Sequence, residues 1–85
     1  MHYTILILRS AQKELAELPS EIFIRVRDAI RTLGEEPRPS GCVKLSDREG
    51  WRIRIGNYRI IYYEIDDAQQ TLTVIHIGHR RDVYR

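Results

Sequence analysis

The strict alternation of residues 51–63, W-R-I-R-I-G-N-Y-R-I-I-Y-Y, constrains this chain more than any other stretch. Side chains of a β-strand point alternately to opposite faces, so the pattern predicts two strands joined by a turn. Gly56 and Asn57 are compatible with a two-residue hairpin loop, which would place Arg54 directly opposite Arg59. Like charges across a strand pair destabilise it, so this pair is expected to have a function.

The predicted pairing divides the hairpin into an apolar face and an arginine face. The apolar face is expected to pack under helices, because burying large apolar side chains stabilises a fold by about 1.5 to 3 kcal/mol each. It collects Trp51, Ile53, Ile55, Tyr58, Ile60 and Tyr62. The opposite face carries Arg52, Arg54 and Arg59, together with Ile61 and Tyr63. A shift of one residue would turn arginines into the core, so the alternation is expected to fix the register.

The first part of the chain predicts one strand followed by two helices. Residues 2–8 are apolar and β-branched and are expected to form a strand buried on both faces. Apolar residues then recur at helical spacing over residues 11–18 and 22–33, with a proline between the two segments. They predict an antiparallel helical hairpin whose helices begin at N-caps Ser10 and Ser20, the second helix ending at a glycine.

After a linker rich in proline and glycine, residues 35–41, the apolar period changes to two. Residues 43–45 predict a short extended piece that leads into the hairpin. A turn at residues 66–70 and a last strand at residues 71–78 follow. Residues 82–84 are too few for more than a short terminal turn or helix.

The predicted fold class is α+β, in a single domain of residues 1–85. It consists of an N-terminal strand, an antiparallel helical hairpin, and a mostly antiparallel β-sheet of three further strands with a short C-terminal turn or helix. Ile75 and Ile77 are predicted to share one face of the last strand, with Leu72 and Val74 on the other. The helices are expected to cover one face of the sheet, which leaves the opposite face for function.

The chain carries no sign of a membrane or secreted protein. Its longest apolar run, Ile5–Leu8, is far shorter than the roughly 20 residues of a membrane helix. It begins with no stretch typical of a signal peptide, and Cys42, the only cysteine, cannot close an internal disulfide. We therefore expect a soluble cytoplasmic protein with no membrane partner.

The net charge of +2 arises entirely from residues 43–85, which contain eight basic and six acidic side chains. Twelve of the fourteen basic residues are arginines, whose planar guanidinium groups bind phosphate or carboxylate through paired hydrogen bonds. A preference of the source genome for arginine would explain this bias equally well. The positions of the arginines must therefore decide whether they form an anion-binding site.

Those positions favour an anion site at the turn end of the hairpin. If the last strand lies beside the second hairpin strand, its C-terminal end brings His79, Arg80 and Tyr84 near Arg54 and Arg59. A cationic concavity with an imidazole and a phenol suits a phosphodiester. The alternative is a solvated outer face neutralised by nearby carboxylates. His2 and His76 have no sequence neighbours that suggest a site.

The segments W-R-I-R-I-G-N-Y-R-I-I-Y and V-I-H-I-G-H-R-R-D-V-Y-R resemble the RelE/ParE superfamily of type II toxin-antitoxin toxins, and most closely its RelE branch. The resemblance implies a ribosome-dependent endoribonuclease that needs no metal or other cofactor and inhibits translation. Its reaction is attack of a ribose 2′-hydroxyl on the adjacent phosphate of mRNA. The alternatives are a ParE-like inhibitor of DNA gyrase without nuclease activity, and a degenerate protein that only binds an antitoxin.

The resemblance also implies partners and roles for individual residues. The partners are a cognate antitoxin and the ribosome with its mRNA, while no motif indicates direct DNA binding by the chain alone. Arg80 would stabilise the transition state or protonate the leaving group, and Tyr84 would orient or deprotonate the nucleophile. Arginine is effectively never deprotonated, so the general base is expected to be Tyr84 or His79. The RNA-binding and catalytic arginines implied are Arg52, Arg54, Arg59 and Arg80, with Arg81 as a further RNA contact.

Overall fold

A computed structural model describes residues 2–56 and 59–79. Within them the chain forms β1 (Thr4–Ile7), α1 (Arg9–Ala16), α2 (Ser20–Glu35), β2 (Val43–Lys44), β3 (Trp51–Ile55), β4 (Arg59–Asp66) and β5 (Thr71–His79). The strands make one sheet in the order β1-β5-β4-β3-β2. β1 runs parallel to β5, and the other neighbouring strands are antiparallel. The predicted α+β class is confirmed. The expected short turn or helix at residues 82–84 lies outside the described residues.

The core lies between one face of the sheet and the two helices. α2 contributes Val26, Ile30 and Leu33, which follow one another at helical spacing, and α1 contributes Ala11. From the sheet come Ile53, Ile61, Tyr63, Leu72, Val74 and Ile77. We call the sheet surface that contacts these helices the inner face and the opposite surface the outer face.

The predicted helix ends need correction. The N-cap positions are held by Leu8 and Pro19, and neither helix has a capping hydrogen bond from a side chain. Ser10 and Ser20 therefore lie inside the first turns. α2 continues past Gly34, whose backbone packs so closely on β1 that an added Cβ would lie 3.3 Å from the Tyr3 carbonyl oxygen. That glycine allows close packing and does not end the helix.

Strand β1 is buried on one face only, which corrects the prediction of a strand buried on both faces. Ile5 and Ile7 pack against the core, whereas Thr4 is exposed and Leu6 is 50% exposed. The reason is that β1 is an edge strand and that the helices cover only the inner face.

The hairpin pairs in a different register from the one predicted. Ile55 lies opposite Arg59, and Arg54 lies opposite Ile60, so the predicted Arg54–Arg59 pair is wrong. Three residues separate the paired Ile55 and Arg59 in the sequence, one more than a two-residue turn would leave, and Gly56 has a left-handed φ of 64°. The predicted position of Tyr58 on the apolar face lies outside the described residues.

One extra loop residue moves every side chain of β4 to the opposite face from the prediction. Ile61 and Tyr63 therefore lie in the core, fully buried, while Tyr62 lies on the outer face. The observed register also gives the buried Tyr63 hydroxyl a partner, because it donates a hydrogen bond to the Pro37 carbonyl oxygen at 2.8 Å. Arg59 shares the inner face with Ile55 and not the outer face with Arg52.

A β-bulge in β5 corrects the predicted faces of that strand. Tyr62 pairs with His76 and Tyr63 pairs with Val74, so Ile75 is an extra residue between the two pairs. The extra residue lets Val74 and Ile77 both face the core, and it interrupts the predicted sharing of one face by Ile75 and Ile77. It also places His76 on the outer face.

A polar network closes the end of the sheet farthest from the hairpin turn. The Asp67 carboxylate accepts a hydrogen bond from the Tyr3 hydroxyl at 2.6 Å and from two Arg38 nitrogens at 3.3 and 2.9 Å. The Arg38 guanidinium, together with the Tyr3 hydroxyl, lowers the pKa of Asp67. Arg38 also lies 5.2 Å from the centre of the Trp51 ring. The network ties the linker to β1 and to the β4–β5 turn.

Candidate functional site

Two arginines of β3 lie on the outer face, as the alternation predicts. Arg52 pairs with Tyr62, which in turn pairs with His76, so these three side chains form a row across β3, β4 and β5. We call them the outer row. Arg54 lies one step nearer the hairpin turn on the same face, opposite Ile60, and is exposed.

The outer row borders an open cavity of about 750 Å³. The rings of Tyr62 and His76 are stacked, with centroids 5.7 Å apart and an angle of 25° between their planes. Lys44 and Arg48 line the same cavity together with one carboxylate, Asp47, so cationic groups outnumber the acidic one beside the two aromatic rings. A smaller cavity of about 360 Å³ lies between the linker and β3 and is lined by both Arg52 and Arg54. Positive charge next to stacked rings suits the phosphates and bases of single-stranded RNA.

Helix α1 holds the imidazole at the end of the outer row. β1 pairs with β5 only as far as Val74, and beyond that point Glu14 reaches the free edge of β5. One oxygen of the Glu14 carboxylate lies 2.7 Å from His76 Nδ1, and the other accepts a hydrogen bond from the Ile77 backbone N–H at 3.0 Å. Both oxygens are therefore engaged, and the carboxylate fixes the orientation of the ring.

A second basic group lies at the hairpin end of the inner face. Arg59 pairs directly with His79, so the prediction that β5 returns to the hairpin turn is confirmed. The Nε atom of Arg59 is buried and has no hydrogen-bond partner among the described residues. A Cβ added to Gly56 would lie 3.3 Å from two nitrogens of Arg25, so α2 brings another guanidinium to this turn. Buried donors are normally paired, which makes the Nε of Arg59 a point where an acceptor would stabilise the fold.

Comparison with known proteins places this arrangement in a family. A family model described as the ParE toxin of the type II toxin-antitoxin system parDE matches residues 5–84. Toxin RelG of Mycobacterium tuberculosis is 33% identical over 87 residues, with 100% of this chain and 99% of that protein covered. The chain belongs to the RelE/ParE toxin superfamily. It is a toxin of a type II toxin-antitoxin system, and the resemblance in its sequence is confirmed.

Solved structures of this superfamily have the same fold as the toxin. The toxin-antitoxin complex RelBE2 of M. tuberculosis contains a chain that is 28% identical, with a TM-score of 0.80 over 94% of this toxin and 100% of that chain. A chain of the archaeal RelE-RelB complex from Pyrococcus horikoshii has a TM-score of 0.82 at 23% identity, over 94% of this toxin and 97% of that chain. At 23% identity, the similarity to the P. horikoshii chain shows a shared fold alone.

The structure of the toxin separates the predicted site residues into two groups. Arg52 and Arg54 lie on the outer face, and Arg59 and His79 lie on the inner face, so the expected single arginine face is wrong for Arg59. Three further predictions, for Arg80, Arg81 and Tyr84, lie outside the described residues.

Sequence reasoning missed the outer-row partners of Arg52 in this toxin. A two-residue loop predicts Tyr62 on the core face, which is the wrong face. His76 has no neighbour in sequence that suggests a site, because its partner Glu14 belongs to a distant helix. The only usable signal was the alternation itself, which pairs Arg52 with Tyr62 once a three-residue loop is assumed.

Residues 2–56 and 59–79 contain no group of at least three histidine, cysteine, aspartate or glutamate side chains that could hold a metal ion. None of the described helices is long and apolar enough to cross a membrane.

Proposed function

We propose that the toxin is a ribosome-dependent mRNA endoribonuclease that inhibits translation in the cytoplasm. The observation that carries the proposal is the outer row, in which Arg52 stands beside the stacked rings of Tyr62 and His76 on an open cavity. Arginine supplies fixed positive charge to a phosphate, and aromatic rings stack on unpaired bases. A stretch of mRNA opened within the ribosome offers both groups together.

The proposed reaction needs no metal or other cofactor. The ribose 2′-hydroxyl attacks the adjacent phosphorus, and the products are a 2′,3′-cyclic phosphate and a free 5′-hydroxyl. Arg52 and Arg54 stabilise the negative charge that develops on the phosphate oxygens, since charge stabilisation of this kind is usually the largest contribution to catalysis. Arg59, Arg80 and Arg81 are proposed as further phosphate contacts, and Tyr84 as a group that orients or deprotonates the nucleophile.

A cognate antitoxin is the proposed protein partner. Related toxins of known structure were solved in complexes with antitoxins. The toxin also exposes apolar side chains that a wrapping segment would cover, namely Leu6, Leu8, Ile24 and Val43. Acidic groups on such a segment would neutralise the arginines of the outer face. We propose no membrane partner and no direct binding of DNA by the toxin alone.

The test is cleavage of mRNA on programmed ribosomes. The purified toxin is incubated with ribosomes carrying a defined mRNA, and the 3′ and 5′ ends of the fragments are mapped and characterised. We expect cuts within the ribosome-covered codons that leave a 2′,3′-cyclic phosphate and a 5′-hydroxyl. The same mRNA without ribosomes should remain intact. Intact mRNA on programmed ribosomes at saturating toxin would refute the proposal.

The second candidate function is inhibition of DNA gyrase without nuclease activity. The observation in its favour is that the matching family model describes a ParE toxin and covers residues 5–84. A supercoiling assay with gyrase separates the two, because inhibition there together with intact mRNA on ribosomes would replace the first proposal by the second. A protein inactive in both assays that still binds its antitoxin would be a degenerate binding module.

A further inference from the structure

We propose that His76, oriented by Glu14, is the general base that deprotonates the ribose 2′-hydroxyl, which leaves Tyr84 the role of orienting that hydroxyl. This inference rests on the proposed endoribonuclease function and adds a catalytic residue to it. It also locates the scissile phosphate between Arg52 and His76, in the cavity along the outer row.

The contact with Glu14 selects one form of the His76 ring. A glutamate carboxylate can only accept hydrogen bonds when ionised, so the hydrogen between it and His76 belongs to Nδ1, 2.7 Å away. The neutral imidazole then carries its lone pair on Nε2, which is the atom that can accept a proton. The second oxygen of Glu14 is held by the Ile77 backbone N–H, so the carboxylate cannot turn away without losing that bond.

The backbone of β5 makes room for this ring. A Cβ added to Gly78 would lie 2.9 Å from His76 Nε2, so a side chain at that position would collide with the reactive nitrogen. The bulge at Ile75 brings His76 to the outer face, where the side chain is 45% exposed and borders the cavity. The His76 ring therefore lies over Gly78 on the outer face, the side where an RNA ligand would bind.

The row also explains why this histidine is a better base than His79. Tyr62 lies between Arg52 and His76 in the pairing, so the guanidinium and the imidazole face the cavity from either side of a stacked ring. A phosphate held by Arg52 would present its ribose to His76. His79 pairs with Arg59 on the inner face, and the sheet separates it from Arg52 and Arg54.

The step conserves atoms and charge. The 2′-hydroxyl proton passes to Nε2 of His76 as the 2′-oxygen forms a bond to phosphorus. The bond between phosphorus and the 5′-oxygen of the next nucleotide breaks, and the electron pair leaves with that oxygen, which takes a proton from water. The imidazolium so formed is stabilised by the negative charge of Glu14 and returns its proton to solvent.

The first test compares single-turnover cleavage on programmed ribosomes by wild type, His76→Ala and His76→Gln. We expect both variants to cleave about 100-fold or more slowly, because a positioned base contributes about 10²- to 10⁴-fold. Added imidazole should restore part of the rate in His76→Ala, whose missing ring leaves space for it, but not in His76→Gln. The matched control is His2→Ala, which removes an exposed histidine whose one ion pair among the described residues is with Glu35.

The outcomes of this test separate the two proposals. If wild type cleaves and a folded His76→Ala protein cleaves within threefold of it, the assignment of the base is wrong and the endoribonuclease function stands. If wild type leaves mRNA intact on ribosomes, the proposed function is wrong and the assignment falls with it. Circular dichroism of each variant shows whether the fold is kept. If His76→Ala does not fold, the comparison uses His76→Gln, which retains most of the side-chain volume.

The second test examines Glu14 as a positioning residue without measuring activity. Nitrogen-15 NMR of the histidine rings reports which ring nitrogen carries the hydrogen. We expect His76 of wild type to be protonated at Nδ1 when neutral, and Glu14→Ala to shift its population toward the form protonated at Nε2. Glu17→Ala, a substitution of an exposed acidic residue just past the end of α1, should leave the signal unchanged. Protonation of wild-type His76 at Nε2 would overturn the proposal.

Discussion

Arg52 and Arg38 show two different uses of arginine on either side of Trp51. Arg38 forms an ion pair with the Asp67 carboxylate and lies near the Trp51 ring, so its charge is neutralised by a residue of the same chain. Arg52 has no ion pair among the described residues and lines two cavities on the outer face. An arginine whose partner is internal ties segments together, whereas one that faces a cavity beside aromatic rings is available to an anionic ligand. The surroundings of each guanidinium, and not the abundance of arginine, indicate where an anionic ligand would bind.

The largest effect is expected from replacing each of these two arginines in turn by alanine. Arg52→Ala should lower the rate of mRNA cleavage by about 10²- to 10³-fold, as expected for loss of one preorganised group that stabilises transition-state charge. The free energy of unfolding of Arg52→Ala should change by less than about 0.5 kcal/mol, since the side chain makes no hydrogen bond or ion pair with the described residues. Arg38→Ala should do the reverse, leaving cleavage near wild type and lowering Tm. Equal loss of cleavage in the two variants would show that the distinction is wrong.

The second effect compares two neighbouring tyrosines of β4. Tyr63→Phe should reduce the free energy of unfolding by about 1 kcal/mol, because it removes a buried hydrogen bond to the Pro37 carbonyl oxygen. Burial raises the pKa of the Tyr63 hydroxyl, which therefore serves as a neutral donor. Tyr62→Phe keeps the stacked ring of the outer row and should leave stability nearly unchanged. Urea denaturation measures both variants.

This comparison also tests the register, because the alternation alone assigns these tyrosines to the opposite faces. If Tyr62→Phe were the destabilising change, the hairpin would pair as a two-residue loop predicts. An unchanged stability in Tyr63→Phe together with a loss in Tyr62→Phe is the result that would contradict the observed structure.

The sequence predicted most of the fold and only part of the site, for physical reasons that particular residues show. Helices and strands follow from periodicity, which is a local property, and so does the outward direction of Arg52 and Arg54. The face of Arg59 depends on whether two or three residues form the loop, and Gly56 suits either length. The Glu14–His76 contact depends on a bulge and on packing between distant segments, which no local pattern encodes.

The smallest effect concerns pH and the network around Asp67. Because Arg38 and then Tyr3 lower the pKa of this carboxyl in the folded protein, its contribution to stability is present above the ordinary pKa of 3.8 and is lost as the pH falls through the lowered value. The hydrogen bond to Asp67 raises the pKa of Tyr3 above its ordinary value of 10.0. The stability that the Tyr3 hydroxyl contributes is therefore present below pH 10.0 and is lost only as the pH rises through the raised value.

Asp67→Asn should therefore lower Tm at pH 7 by more than it does at pH 3, which lies below the ordinary pKa of 3.8, because there the carboxyl of the unfolded chain is protonated and the advantage of the folded state shrinks. Asp47→Asn, which changes an exposed carboxyl of the outer-row cavity, should lower Tm at neither pH. Because Asp67 lies in the β4–β5 turn and bonds to Tyr3 and Arg38, neither of which belongs to the outer row, mRNA cleavage by Asp67→Asn should match wild type at neutral pH. A Tm difference from wild type that is as large at pH 3 as at pH 7 would mean that the network stabilises the fold through its shape and not through the charge of Asp67.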